Sequence, residues 1–127
     1  KMKMRVVHIV PLSKQALLIL KDIKEKAEVS NYIFPCVTSN KRPMSENTVN
    51  MALKRMGYKD RHTAHGFRST ASTILHEQGW AHDVIELQLA HKVGNAVAAA
   101  YNYATYIPER QKMMQHWADY LDNLRKL

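Results

Sequence analysis

Apolar residues recur along most of this chain at intervals of three and four, the period of a helix that buries one face. The exception is the start, where "MRVVHIV" runs β-branched residues up to Pro11 and reads as a strand over about 4–10. Ser13 then offers a cap for a helix over about 14–28, with Leu17, Leu20, Ile23 and Ala27 as its buried stripe. "NYIFP" reads as a short extended piece and "CVTSNKRP" as an irregular loop. Ser45 caps a helix over about 46–56 that stops at Gly57, and the polar "KDRHT" leads to the next helix. That helix starts near Ala64, places Phe67, Ala71 and Ile74 on one face, gathers His65, Ser72 and His76 on another with Arg68 flanking them, and ends at Gly79.

Three more helices complete the pattern. "AHDVIELQLAH" offers Val84, Ile85, Leu87 and Leu89 for burial, and "NAVAAAYNYA" is a short helix of small residues. Pro108 opens a last helix with Met113, Trp117, Leu121 and Leu124 at helical spacing. The expected class is mainly α, an α+β chain with the remnant of a small β-hairpin at its N-terminal end. No repeat or internal linker divides it, so residues 1–127 read as one unit.

Composition narrows the partners. Hydrophobic residues at 46% and charged residues at 24% argue against disorder, and no apolar run reaches the ~20 residues of a membrane span. Nineteen Lys and Arg against 11 Asp and Glu leave a net charge of +8, which favours a polyanionic partner because each neutralised phosphate releases counterions. The lone Cys36 excludes an internal disulfide and fits a reducing cytoplasm. One Cys and no His-Glu-x-x-His run give no metal-ligand pattern among His62, His65 and His76, so neither metal nor cofactor is expected.

The chemistry sits in "TAHGFRSTASTILHEQG". His65 and Arg68, at i and i+3, share one side of the first helical turn, beside the positive end of the helix dipole. A guanidinium there can grip two phosphate oxygens at once. Gly66 costs that turn about 1 kcal/mol of helix propensity relative to Ala and would let a phosphate approach closely. Lys54, Arg55, Lys59, Arg61 and His62 surround the preceding helix, as either a solvated basic face or a set of contacts to a nucleic-acid backbone, which position a duplex without reading it. Further along stand His91 and Tyr101, with Gly94 and Asn95 marking a turn between them, and Lys3 precedes Pro11 at the start. Residue types alone do not choose among Tyr101, Tyr103 and Tyr106.

Taken together, "HIVPLS", "HGFRSTAST", "DVIELQLAH", "AAYNYA" and "MMQHWADYLD" resemble the tyrosine recombinase (phage integrase) family, in particular the integrases of satellite phages and genomic islands. The likeness runs from residue 3 to about 122. It implies the helical catalytic-domain fold of that family, with residues 1–127 as the C-terminal part of the catalytic domain. It also implies site-specific DNA recombination, the integration or excision of a mobile element such as a prophage, with Tyr101 as nucleophile forming a 3′-phosphotyrosyl bond. Arg68, His65 and His91 would cradle the phosphate, His65 would assist deprotonation of the tyrosine, and Lys3, in preference to Lys1, would protonate the departing 5′-oxygen. The implied partners are double-stranded attachment sites, further protomers up to a synaptic tetramer, and accessory DNA-bending or directionality proteins. The implied location is the bacterial cytoplasm, at the nucleoid.

Two departures stand out. The family's first arginine lies upstream of the hairpin lysine and has no counterpart here, so this chain alone is expected to be inactive or nearly so. Tyr103 stands where the subgroup carries an arginine. The competing reading is a non-catalytic helix-turn-helix DNA-binding module around "GYKDRHT", which leaves the His-x-x-Arg, His and Tyr series unexplained. A third is a helical interaction domain that assembles through its last helix.

Overall fold

The computed structural model describes residues 7–27, 29–91 and 106–127, and these are mainly helical. Lys3 and Tyr101, with Lys1, Tyr103 and the expected "NAVAAAYNYA" helix, lie outside the described residues. The described elements are α1 (Lys14–Lys26), β1 (Pro35–Cys36), β2 (Ser39–Pro43), α2 (Thr48–Leu53), α3 (Ala64–Glu77), α4 (His82–Gln88) and α5 (Ile107–Arg125). They fall into two compact units, one drawn from Lys1–Ser13 with Ala71–Leu127 and the other from Lys14–Thr70, and α3 supplies residues to both.

The Lys14–Thr70 unit is lightly buried. In α1 the expected stripe is only half realised: Leu20, Ile23 and Ala27 are half-buried, whereas Leu17 stays 42% exposed. Among the described residues of this unit, Leu53 alone is buried. The two-stranded antiparallel sheet, β1 with β2, falls where an irregular loop was expected. Hydrogen bonds explain the difference. Met44 N–H donates to the Phe34 carbonyl at 2.8 Å, and Ser30 Oγ–H donates to the Asn40 carbonyl at 2.7 Å, fastening a Pro-rich stretch that propensity disfavours. The N-terminal strand is not borne out over residues 7–10, which have no regular structure, and residues 4–6 lie outside the described set.

The helical backbone of α2 continues past Leu53 to a kink at Gly57, which takes φ 90°, the left-handed conformation that ends helices. The expected stop at Gly57 is thus met.

The other unit has a core. Leu75 of α3, Val84 and Ile85 of α4 and Met113 of α5 form a buried cluster, with Trp80, Leu89, Met114 and Trp117 packed against it. Leu87 is buried too. Each such side chain contributes about 1.5–3 kcal/mol by leaving water. The stripe of α5 is buried only in its first half, since Leu121 and Leu124 stay exposed. Pro108 falls in its first turn, where a missing N–H costs nothing.

Two helix ends in this unit close in the same way. At the end of α3, Gly79 (φ 84°) donates to the His76 carbonyl and Trp80 to that of Leu75. At the end of α4, Ala90 (φ 54°) donates to Leu87 and His91 to Glu86. Both are Schellman closures, which satisfy carbonyls the helix leaves over. Ala90 holds without glycine a conformation that costs an L-residue roughly 1 kcal/mol.

Sequence periodicity also missed Arg110, fully buried in α5. Its Nε–H donates to Gln88 Oε1 at 2.9 Å and its terminal NH2 to the carbonyl of Ile9, so one guanidinium ties α5 to the end of α4 and to the segment before Ser13. Desolvation pulls its pKa below the usual arginine value.

Candidate functional site

In the Lys14–Thr70 unit, the first turn of α3 is built by two polar side chains. Asn50 Oδ1 accepts from Ala64 N–H at 2.8 Å, and Thr63 Oγ1 accepts from Gly66 N–H at 3.1 Å. Both donors are therefore satisfied within the protein. An anion at this turn meets the exposed side chains, with the helix dipole behind them. His65 and Arg68 stand exposed on that turn, as their i, i+3 spacing predicts.

Gly66 has a different reason from the one the sequence offered. A Cβ there would come within 2.9 Å of His62 Cε1, so the space a side chain would take belongs to the His62 ring. That ring packs edge-on against Phe67, with centroids 4.4 Å apart and planes at 75°. Buried His62 Nε2 has no hydrogen-bond partner among the described residues. His62 is thus half-buried packing as much as a surface cation, while Lys54, Arg55, Lys59 and Arg61 are exposed. Arg55 Nε–H donates back to the Met51 carbonyl at 3.4 Å, and the Arg61 guanidinium lies 5.8 Å from the centre of the Tyr58 ring. The latter is a cation–π distance that steadies the arginine without neutralising it.

His91 belongs to the other unit and is held from two sides. Its backbone N–H closes the end of α4, and its Nδ1 lies 2.7 Å from Glu86 Oε2. A carboxylate only accepts, so Nδ1 carries the proton in this pair and Nε2 is the ring's acceptor nitrogen. Glu86 is a partner that sequence reasoning missed. The His91–Glu86 spacing of i−5 matches no helical pair and arises only from the Schellman turn.

A second polar group in this unit was missed as well. His76 Nε2 lies 3.0 Å from His82 Nδ1, His76 Nδ1 lies 2.7 Å from the Ser72 carbonyl, and the donor atoms of His76, His82 and Glu86 all fall within 4.8 Å of one another. The expectation of no ligand pattern rested on sequence motifs, and this cluster is assembled by the turn between α3 and α4.

Residues 1–106 match the phage integrase family. The integrase of Shigella phage Sf6 is 42% identical over 95% of this chain and 32% of its own length. The integrase of Enterobacteria phage P4 is 47% identical over 95% of this chain and 28% of its own length, and a prophage integrase, IntS, of Escherichia coli K12 is 42% identical over 95% and 32%. The chain spans about a third of the length of these curated relatives. No solved structure gives a significant match. No described helix is long and apolar enough to cross a membrane.

Proposed function

The chain belongs to the phage integrase family, and from that premise we propose that it carries the phosphate-binding and nucleophilic residues of a site-specific DNA recombinase, acting at the attachment sites of a mobile element. The observation that carries this reading is the exposed His65–Arg68 pair on a first helical turn whose Ala64 and Gly66 N–H groups are already bonded.

In this mechanism Tyr101 Oη attacks the phosphorus of one backbone phosphodiester, and its proton passes to His65. The P–O5′ bond breaks and the departing 5′-oxygen takes a proton from Lys3. Arg68 holds the non-bridging oxygens while His91, braced by Glu86, completes the cradle. Charge developing on phosphorus meets fixed donors, each worth on the order of 3–4 kcal/mol. Rejoining reverses the step, since the phosphotyrosyl bond keeps the energy of the cut one. No nucleotide is consumed. Lys54, Arg55, Lys59 and Arg61 position the duplex together with His62, whose ring packs on Phe67. The assembly on DNA is a multimer of recombinase protomers, a tetramer at synapsis, joined by accessory DNA-bending or directionality proteins, and it works at the nucleoid.

The test uses a suicide DNA substrate containing the attachment site, with the protein that carries this chain. A covalent DNA adduct that disappears in Tyr101→Phe supports the reading. DNA affinity without any adduct would leave the non-catalytic helix-turn-helix module in its place.

A further inference from the structure

In the cluster at the turn between α3 and α4, His76 and His82 take no part in the proposed recombination chemistry, and Glu86 enters it only through His91. His76 occupies the last turn of α3, while His82 and Glu86 stand at i and i+4 on α4 and so share a face. The Schellman closure at Gly79 fixes how one helix hands over to the next, and with it the approach of the two rings.

The protonation pattern follows from the partners. The Ser72 carbonyl, 2.7 Å from His76 Nδ1, can only accept, so Nδ1 bears the hydrogen and Nε2 a lone pair. That lone pair faces His82 Nδ1 at 3.0 Å. An imidazole whose far N–H is tied to a backbone carbonyl while its other nitrogen is free to coordinate has the arrangement that orients metal-bound histidines. Two nitrogens bound tetrahedrally to zinc at 2.0–2.1 Å stand roughly 3.3 Å apart, close to the spacing found here. One donor atom from each of His76, His82 and Glu86 lies within 4.8 Å of the other two, so the carboxylate stands beside the pair of rings.

We propose that His76 Nε2, His82 Nδ1 and a Glu86 carboxylate oxygen form a binding site for one borderline divalent cation, of which zinc is the reference. Two imidazoles and one carboxylate suit this class and suit calcium or magnesium poorly, since those take all-oxygen shells. The exposure of both rings leaves further positions to water. A neutral His82 moves its proton from Nδ1 to Nε2 on binding, so no net proton is released. Glu86 Oε2 already accepts from His91, and the second carboxylate oxygen serves the cation. Occupancy therefore stiffens the brace behind His91. That coupling rests on the recombinase reading, whereas the site itself does not.

The experiment is a titration of the untagged chain with zinc by calorimetry and with cobalt(II) by visible absorption. One ion per chain is expected, with zinc displacing the cobalt spectrum. His76→Ala and His82→Ala each weaken binding at least about tenfold, and Glu86→Gln weakens it by less. His116→Gln, whose ring bonds Gln78 instead, leaves it unchanged. In the unaltered chain, zinc should shift the ¹⁵N signals of His76 Nε2 and His82 Nδ1 ahead of those of the other histidines, a readout that needs no variant to fold. Absence of binding at millimolar metal overturns the site, as does binding that survives both alanine substitutions or shifts other histidines first. None of these outcomes depends on whether Tyr101 forms an adduct.

Discussion

The two units of this chain handle apolar side chains in opposite ways. The unit containing α4 and α5 buries Leu75, Val84, Ile85 and Met113 in one cluster and sets a buried arginine beside it. The Lys14–Thr70 unit buries Leu53 among its described residues and leaves Leu18 at 67% and Ile19 at 59% exposed on α1. Its order comes from hydrogen bonds at turns and caps: Asn50 and Thr63 under α3, and Ser30 and Asn40 across the hairpin. Packing thus carries one unit, and polar fastening the other. The exposed His65 and Arg68 belong to the unit of the second kind.

This contrast can be broken by substitution. The largest effect expected is on activity. Arg68→Ala should lower cleavage of the suicide substrate by about 10²–10³-fold, with the thermal midpoint scarcely moved. A large loss of midpoint instead would show that the turn is structural. Next come the cores: Ile85→Ala should cost about 2–5 kcal/mol in urea unfolding, and Leu18→Ala less than about 0.5 kcal/mol. Equal costs would abolish the distinction between the units.

Arg110→Met keeps the volume of the side chain and removes its hydrogen bonds to Gln88 and Ile9, for an expected loss of about 2–3 kcal/mol by the same measurement. A neutral result would mean that the guanidinium's desolvation cancels its bonds. Smallest is Ala90→Gly, which relieves the left-handed backbone before His91 and should raise stability by about 0.5–1 kcal/mol. Read by hydrogen exchange at the end of α4, it reports whether strain there is stored or already offset by the His91–Glu86 pair.

Helices were legible wherever local signals agreed. The α3 helix stops at Gly79, α4 buries Val84, Ile85 and Leu87, and α5 carries Pro108 in its first turn, each as periodicity and capping require. The hairpin was not legible, because Pro35, Pro43 and a polar strand oppose β propensity, whereas bonds between segments, that of Ser30 to Asn40 included, hold it. Buried Arg110 was hidden for a related reason: a charge on a helix face reads as solvated until three separate segments close around it. At the candidate site, spacing placed His65 and Arg68 on one turn but misread Gly66, whose missing side chain makes room for His62 rather than for a phosphate.

What sequence determined by itself is local: residues within a few positions of one another meet through backbone geometry that any helix supplies. From this came the mainly helical class, the His65–Arg68 turn and the apolar face of α4. Tertiary structure alone decided which distant groups share a partner. Glu86 reaches His91 across a left-handed turn, and His76 faces His82 across another, because the direction of the chain after a helix end depends on how the following helix packs. Such encounters follow no fixed interval, so no period in the sequence can announce them.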